Sequence, residues 1–440
     1  MKKAHNYNRI PSMSMISKLK DKAKRALLSS QKYVKIDMVY LAKGGFWISL
    51  HFFLSAIIST ISVAAFAYFI PKETYGTYKY LLSLASSISF LTLSGANQAV
   101  TLMAAKGSES ILDYSIVAQL KWSTLFAIGA FGMGGYYLIN DNTVFAISMF
   151  ILGISFPISA AFNTYGAYLT GKREIKTVSI YSILATFFAG AVTITTIVIT
   201  NNLLIIVSSY ALASFLPSIY FYLIARPKHE KITSEDKKEF FNFSGHLSIV
   251  NIFQVISNNI DKILIFQFLG PSQLAIYSLA LVMPERIRGL LKSGGSMIVP
   301  QLTQRKLSEI KNGFYMKIFW SILTGLVISL AYIIVAPIAF KFILPKYLES
   351  VIFSQALSLS LIFVIPTIYM GAIYRAKKMI KTIYYSNALT NIPKIVILLL
   401  FGKIWEIWGV VATILIMAAF DFVYNFFLLN TKLREAEFGV

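Results

Sequence analysis

The sequence of 440 residues contains no cysteine and only four histidines. Disulfide bonds, thiolate catalysis and cysteine-based metal sites are therefore excluded. Two catalytic motifs are also missing: GxxxxGKS/T, whose backbone amides cradle nucleotide phosphates, and HExxH, which places two zinc-binding histidines on one helix face. No stretch between the apolar segments is long enough for a separate nucleotide-binding domain. These absences argue against glycosyltransferases, nucleotide-driven pumps and metalloproteases.

Charged residues are scarce at 14% of the chain, whereas hydrophobic residues make up 56%. Apolar runs of about 20 residues, the length needed to cross a bilayer core of about 30 Å, recur along the whole sequence. Polar residues fall in short segments between these runs and do not form the broad polar helix faces of a soluble protein. The sequence therefore predicts an all-α polytopic membrane protein with about twelve transmembrane helices, at residues 45–70, 75–105, 117–138, 144–170, 178–200, 203–224, 243–269, 274–303, 317–340, 351–374, 382–402 and 408–429.

Lysine and arginine are distributed unequally between the two sets of loops. One set, which includes both termini, carries 30 of them, and the opposite set carries 4. Because cationic loops stay in the cytoplasm and an even number of spans places both ends together, the N- and C-termini are predicted to be cytoplasmic. Most of the net charge of +22 is thus a topology signal. Since this charge is scattered over loops, a nucleic-acid partner is not expected.

A long basic loop divides the chain into two halves of six predicted spans. Shifting the sequence by 200 residues aligns four identical pairs: Gly45 with Gly245, Phe53 with Phe253, Phe66 with Phe266, and Pro71 with Pro271. Six spans per half make the repeats parallel, with a cleft between them, which is a transporter plan. The predicted segments are a cytoplasmic basic arm (1–43), an N-terminal bundle (44–224), a cytoplasmic linker (225–242), a C-terminal bundle (243–429) and a cytoplasmic tail (430–440). Within the arm, residues 15–35 favour either an amphipathic helix in the headgroup region or a solvated basic segment.

Four stretches of the sequence resemble a known family. They are "LAKGGFW" before the first span, "PKETYGTYKYLLSLAS" entering the second, "SGANQAV" followed by "AAKG" at its end, and "NNIDKILIFQFLGPSQLAIYSLA" across the seventh and eighth. These stretches resemble Wzx-type polysaccharide flippases, which belong to the superfamily of multidrug, oligosaccharidyl-lipid and polysaccharide exporters. The resemblance implies a twelve-helix fold in which two six-helix bundles surround a central cavity.

The resemblance also implies a function and a location. The cargo would be a polyprenyl-pyrophosphate-linked sugar repeat unit, carried from the cytoplasmic to the outer leaflet of the bacterial inner membrane for O-antigen, capsule or exopolysaccharide synthesis. The implied partners are this glycan, membrane lipids, and the polymerase with other glycan-assembly proteins, and no cofactor is expected. A polymerase or ligase of the same pathways is disfavoured, because the longest outward loop, around "KFILPKYLES", has about ten residues.

Seven lysine and arginine side chains are predicted to lie at membrane depth. An ionised side chain at the centre of a spanning helix costs about 2.5–3.5 kcal/mol, so these seven are not expected to face lipid. Lys79, Lys121 and Lys292 lie near span ends, from which a side chain can snorkel to the interface. A hydrated, anionic cargo requires an electropositive cavity, and four cations remain as candidate substrate-binding residues: Lys262, Arg286, Arg288 and Lys394.

The eighth span contains the sequence "MPERIRGLLKSGG". Arg288 and Lys292 are four residues apart on one helix face, with Glu285 on the same stripe, whereas Arg286 points about 100° away. A guanidinium grips phosphate oxygens through two parallel hydrogen bonds, which favours Arg286 or Arg288 as the pyrophosphate ligand. The alternative is that Glu285 neutralises one arginine as an internal structural pair.

Three acidic residues are also predicted inside the spans: Asp261, Glu285 and Asp421. Asp261 lies about 24 Å into a predicted continuous helix over residues 245–269, which is beyond snorkelling distance. Its predicted role is to bind a coupling proton or Na⁺, and the alternative is an interhelical salt bridge that holds the bundle shut. Asp421 and Glu285 are further candidates for ion coupling or gating, and no metal site is predicted.

The principal alternative is a cation-coupled multidrug exporter of the same fold. An exporter of lipophilic cations is expected to line its cavity with carboxylates and aromatic rings. In this chain, seven intramembrane basic residues outnumber three acidic ones. The sign of the charge in the cavity therefore discriminates between the two kinds of transporter. An adhesive or structural membrane scaffold is a third possibility, but it would need no buried charge.

Overall fold

The computed structural model describes residues 38–227, 232–295 and 298–438. The described part of the first half consists of helices α1 (Met38–Phe69), α2 (Lys72–Ser87), α3 (Ala96–Ala105), α4 (Ile111–Ile139), α5 (Thr143–Phe162), α6 (Tyr165–Gly171), α7 (Ile175–Ile199) and α8 (Leu203–Ala225). A 3₁₀ turn over Ser89–Thr92 separates α2 from α3. The interfacial helix predicted at residues 15–35 lies outside the described residues.

The described part of the second half also consists of helices joined by short connections. Its helices are α9 (Ser234–Ser257), α10 (Ile260–Leu269), α11 (Pro271–Gly295), α12 (Val299–Gln304), α13 (Leu307–Asn312), α14 (Phe314–Ile343), α15 (Ser350–Ser358), α16 (Leu361–Ala376), α17 (Ile380–Ile404) and α18 (Glu406–Phe438). Helix α9 begins at Ser234, inside the segment predicted as a linker, because the Thr233 hydroxyl accepts a hydrogen bond from the Asp236 amide at 3.1 Å and caps the helix there.

The helices have the lengths and surfaces of membrane spans. In the described residues, nine spans of 23–30 residues are apolar enough to cross a bilayer, and two more are bent helix pairs. Helix α11, 25 residues long, is not among these eleven, because four charged residues lower its hydropathy. Large apolar side chains face outward, among them Ile139, which is 85% exposed, and Phe342, which is 74% exposed. The all-α polytopic fold is confirmed, and the arrangement is consistent with twelve helices in two bundles.

The second span is broken, although the sequence predicted one helix over residues 75–105. The chain bends by 51° between α2 and α3, and Leu93 at the bend has a positive φ of 59°. Beyond the bend, Gly95 packs so closely on α9 that a Cβ there would lie 2.3 Å from the Ser244 carbonyl oxygen. The bend therefore brings the backbone of the first half against the second half.

The seventh span is also interrupted, so the prediction of a continuous helix over residues 245–269 was wrong. Helix α9 ends at Ser257 and α10 begins at Ile260. The Asn259 side-chain amide donates to the Val255 carbonyl at 2.9 Å, a local bond that competes with regular helix hydrogen bonding. The interruption leaves carbonyl groups at the end of α9 without their usual amide partners.

The two halves touch at the end predicted to face outward. A Cβ on Gly76 of α2 would lie 1.8 Å from the Pro271 carbonyl oxygen at the start of α11. Beside this contact, the Ser272 hydroxyl donates to Glu73 Oε1 at 2.6 Å. Helices α2 and α11 therefore close the cleft between the bundles at this end.

The halves touch again at the end predicted to be cytoplasmic. The Gly95 amide donates to Ser248 Oγ at 2.9 Å, and both groups are buried. The Ser108 hydroxyl donates to Asp236 Oδ2 at 2.9 Å. The two halves are therefore in contact at both ends of the cleft between them.

Candidate substrate-binding site

A cavity of about 260 Å³ lies between the two bundles. We call it the central cavity; it is lined by Val63, Lys79, Lys262, Ser278, Leu281, Val282, Glu285 and Arg286. The first two residues come from the first half and the others from the second. Three of the lining residues are of basic type and one is of acidic type, so the formal charge of the lining is positive.

Helix α11 supplies most of the cavity wall. Its five lining residues, Ser278, Leu281, Val282, Glu285 and Arg286, follow the three-and-four spacing of one helix face. The serine and the two aliphatic residues lie toward the outward end, and the two charged residues lie deeper along the same stripe. Both Glu285 and Arg286 are exposed to the cavity space.

Arg288 lies in a different environment, although it is only two residues from Arg286. Its Nη2 donates to Ser360 Oγ on α16 at 2.8 Å, inside the second bundle. Glu285, which the sequence placed on the stripe of Arg288, instead lines the central cavity with Arg286. Of the five ion pairs found within 4.0 Å across the described residues, none involves Glu285, Arg286 or Arg288.

A second cavity of about 250 Å³ lies within the C-terminal bundle. We call it the C-terminal cavity; its charged lining residues are Arg288, Lys292, Lys394 and Asp421, and its neutral polar ones include Ser360, Thr390 and Asn391. Asp421 is held in place by Asn425, whose side-chain amide donates to Asp421 Oδ1 at 2.8 Å. The structure thus distributes over two cavities the charged residues that sequence reasoning had assigned to a single site.

Lys262 and Lys394 meet at the interruption between α9 and α10. Lys262 Nζ donates to the Asn258 carbonyl at 3.1 Å, and Lys394 Nζ donates to the Ser257 carbonyl at 3.0 Å. The carbonyl end of a helix carries partial negative charge, so two ammonium groups are favourable there. One of these lysines lines the central cavity and the other the C-terminal cavity.

Asp261 is buried and only 6% exposed. Its Oδ2 accepts a hydrogen bond from the Tyr277 hydroxyl on α11 at 2.5 Å, and its Oδ1 lies 3.9 Å from Lys262 Nζ. Asp261 does not line the central cavity but lies behind Lys262, and it connects α10 to α11. The link between α10 and α11 is thus a hydrogen bond from Tyr277, whereas the ion pair with Lys262 lies within α10.

Sequence reasoning missed Lys79 as a cavity residue. It was discounted as a snorkelling side chain, yet the structure places it in the central cavity, with Nζ 5.3 Å from the ring centroid of Tyr75 and 5.8 Å from that of Tyr78. Lys79 lies seven residues after the start of α2, which is about 10 Å along the helix. This depth could have indicated from the sequence that its side chain does not reach the membrane–water interface. Lys121, by contrast, is exposed on α4.

The chain thus combines helices of membrane length, broken spans and a charged cavity between two halves. Three solved structures share the fold. The first is the lipid II flippase MurJ in an inward closed conformation, with a TM-score of 0.66 and 13% sequence identity over 88% of this chain and 89% of that one. The second is an outward-facing multidrug resistance MATE family transporter of the MOP superfamily, with a TM-score of 0.61 and 12% identity over 90% of this chain and 96% of that one. The third is a MOP superfamily transporter from Pyrococcus furiosus described as having a binding pocket of reverse polarity, with a TM-score of 0.54 and 13% identity over 90% of this chain and 96% of that one.

The sequence profile of the polysaccharide biosynthesis protein family matches residues 41–306. The chain belongs to this family, and its fold is that of the MOP superfamily. Among curated proteins, no sequence matches the chain. The resemblance to polysaccharide flippases of this superfamily is thereby confirmed at the level of family and fold.

Proposed function

We propose that the protein is a flippase that moves a polyprenyl-pyrophosphate-linked oligosaccharide from the cytoplasmic to the outer leaflet of a bacterial cell membrane. The glycan would be a repeat unit of a surface polysaccharide such as O-antigen or capsule, and both termini would be cytoplasmic. The observation that carries this proposal is the charge of the central cavity, where Lys79, Lys262 and Arg286 surround a single carboxylate, Glu285. Membership of a polysaccharide biosynthesis family supports it.

A pyrophosphate group explains why the chain places cations at this depth. Each intramembrane cation costs about 2.5–3.5 kcal/mol on insertion scales, and such residues usually mark the pathway of a polar substrate. Arg286 suits the phosphate oxygens best, because its planar guanidinium donates two parallel hydrogen bonds. Lys79 and Lys262 supply positive charge from opposite bundles, so both halves take part in binding.

Transport by alternating access requires the bundles to separate at one end at a time. In this conformation the bundles are in contact at both ends of the cleft, and the central cavity between them has a volume of about 260 Å³. Lys262 connects binding to this movement, because its ammonium group is shared between the Asn258 carbonyl and the cavity. A bound pyrophosphate would compete for Lys262 and weaken the junction of α9 and α10.

Uphill transport also needs a source of energy, and the sequence has no nucleotide-binding motif. One charge moving through 100 mV yields about 2.3 kcal/mol, so an ion gradient or the membrane potential is the proposed source. Asp261, adjoining the central cavity, and Asp421, in the C-terminal cavity, are the proposed sites for a coupling H⁺ or Na⁺. Facilitated flipping drawn by consumption of the glycan outside is the alternative, and flipping indifferent to both gradients would favour it.

A cation-coupled multidrug exporter of the same fold is the alternative function. A lipophilic cation entering the central cavity would meet three positive side chains and one negative one. Like charges in a poorly solvated space repel strongly. The central cavity therefore disfavours a cationic drug and favours an anionic cargo.

Complementation of surface glycan in a flippase-deficient cell tests the proposal. Arg286→Ala should abolish or sharply reduce glycan display at a normal membrane level of the protein, and Arg286→Lys should be intermediate because it keeps the charge and loses the planar fork. Lys121→Ala, which removes an exposed cation on α4, is the matched control and should display normal glycan. Normal display from Arg286→Ala combined with Lys79→Ala, at wild-type protein level, would overturn the assignment.

A further inference from the structure

A large groove lies on the second bundle, apart from both charged cavities. Its volume is about 640 Å³, and it is formed by α11, α12, α14 and α16. Five of the eleven described residues that line it are aliphatic, namely Leu291, Ile298, Leu302, Ile365 and Ile368. Trp320 on α14 forms its outer edge and is 56% exposed. The groove therefore opens toward the surface that faces the surrounding lipid.

Cations stand at one end of this groove. Arg305 follows α12, and Lys317 lies in the first turn of α14. None of the eleven described residues that line the groove is acidic. Neither Arg305 nor Lys317 belongs to an ion pair within 4.0 Å in the part of the chain that the structure describes. Two cations are thus presented together without a carboxylate to neutralise them.

The cationic end is a built site. Lys377 Nζ donates to the Arg305 carbonyl and fixes the loop against the end of α16. Tyr369 on α16 lines the same end; it is 7% exposed, and its hydroxyl has no hydrogen-bond partner among the described residues. Lys317 Nζ lies 5.5 Å from the centroid of the Tyr369 ring. A buried hydroxyl without a partner is costly, and a phosphate oxygen that reaches this end of the groove would give it an acceptor.

The groove has the depth of an acyl chain segment. Along α14 it extends from Lys317 to Thr324, seven residues or about 10 Å of helix. The cations lie at the end that the distribution of Lys and Arg places in the cytoplasm. A lipid of that leaflet would therefore enter with its phosphate at the cations and its hydrocarbon along the aliphatic wall.

We propose that this groove binds an anionic glycerophospholipid of the cytoplasmic leaflet. Arg305, Lys317 and the Tyr369 hydroxyl hold the phosphate, and one acyl chain lies along α11 and α16 beside Trp320. The bound lipid joins the cytoplasmic ends of α11, α14 and α16, which belong to the moving C-terminal bundle. The site is independent of the proposed glycan cargo, because it shares no residue with the central cavity.

Quenching of Trp320 fluorescence by bromine-labelled lipid tests this site. The full chain is prepared with Trp47, Trp122, Trp405 and Trp408 replaced by phenylalanine, and it is reconstituted with brominated phosphatidylglycerol or with phosphatidylcholine carrying the same chains. Phosphatidylglycerol should quench Trp320 at a lower fraction of total lipid. Attraction of about 1 kcal/mol per cation predicts that Arg305→Gln and Lys317→Gln each lower this preference about fivefold.

Matched controls separate the site from general surface charge. Lys306→Gln removes an exposed cation next to Arg305, and Lys341→Gln removes an exposed cation at the opposite end of α14; both should keep the preference. Excess glycerol 3-phosphate should not reverse the quenching, because the chain contributes to binding. Equal quenching by both lipids, an unchanged preference in the Arg305→Gln and Lys317→Gln double variant, or full reversal by glycerol 3-phosphate would overturn the proposal.

Discussion

Arg286 and Arg288 lie two residues apart on α11, yet they open onto different cavities. Arg286 faces the space between the bundles, whereas Arg288 reaches Ser360 within the C-terminal bundle. In the sequence the two arginines are equivalent candidates for a phosphate ligand. Their surroundings indicate different roles. Arg286 lines the central cavity, where a cargo can contact it, whereas Arg288 links two helices of the C-terminal bundle.

Truncation of the two arginines to alanine should therefore impair different properties of the protein. Arg288→Ala removes a charge-assisted hydrogen bond to Ser360, which contributes about 1.5–3 kcal/mol, so the amount of folded protein and its unfolding temperature should fall. Glycan export per molecule should remain substantial. Arg286→Ala should do the reverse, with normal stability and lost export. Membrane protein levels and glycan display, measured together for each variant, separate the two effects. Lost export with normal stability in Arg288→Ala, together with lost stability and retained export in Arg286→Ala, would contradict these roles.

Lys394→Met should destabilise the junction of α9 and α10. Methionine fills similar space but cannot donate to the Ser257 carbonyl, which Lys394 Nζ now contacts at 3.0 Å. The loss should be about 1–3 kcal/mol, since a part-buried carbonyl loses its charged donor. Thermal unfolding of the purified protein measures it. Lys403→Met, an exposed lysine at the end of the same helix, is the control, and equal losses from both variants would contradict the capping role.

Sequence reasoning recovered the large-scale features because they depend on local composition. Apolar runs of membrane length and the asymmetry of the loop charges need only one chain segment at a time. The interruption at Asn258 and Asn259 could not be predicted in this way, because one of its two capping lysines, Lys394, is 137 residues away from Ser257. The division of the charged residues over two cavities depends equally on a distant partner, Ser360.

The positive charge of the site was easier to predict than the identity of the residues that line it. An excess of intramembrane cations follows from counting, and the structure places Lys262 and Arg286 among the residues that line a cavity between the halves. Lys79 was discounted because distance from a span end estimates only how far a side chain can snorkel. It takes no account of a neighbouring bundle that covers that end, as Pro271 covers Gly76 on the same helix.

Crosslinking tests whether both ends of the cleft must open. The chain has no cysteine, so introduced pairs report without interference. Glu73→Cys with Ser272→Cys should lock the outward end, and Ser108→Cys with Asp236→Cys the cytoplasmic end, because the native side chains are in hydrogen-bond contact. Oxidation of either pair should stop export, and reduction should restore it.

A pair within one bundle provides the control for crosslinking. Glu109 and Lys172 form an ion pair of 2.7 Å inside the N-terminal bundle. Oxidised Glu109→Cys with Lys172→Cys should retain export, since alternating access moves the bundles as units. Full export with either interbundle pair verified as oxidised would contradict transport through the central cavity.

Gly95→Ala should hinder closure at the cytoplasmic end. A Cβ at this position would lie 2.3 Å from the Ser244 carbonyl oxygen, and backbone atoms cannot yield that space without separating the bundles. Accessibility of a cysteine placed at Ser248 to a cytoplasmic thiol reagent should rise. Gly132→Ala is the control, because nothing described lies within 4 Å of its Cβ position, and equal labelling of the two variants would exclude a role for the close approach.

The central claim is that a positive cavity between the bundles carries a lipid-linked anion. Purified protein in proteoliposomes, supplied with a labelled polyprenyl-pyrophosphate oligosaccharide, measures this directly as the rate at which label crosses the bilayer. The account predicts transport by the wild type, a loss of about tenfold or more in Arg286→Ala from the missing charge-assisted bonds, and no transport of the same glycan on an uncharged polyprenyl lipid. Equal rates for the charged and uncharged lipids, or for the wild type and Arg286→Ala, would contradict it.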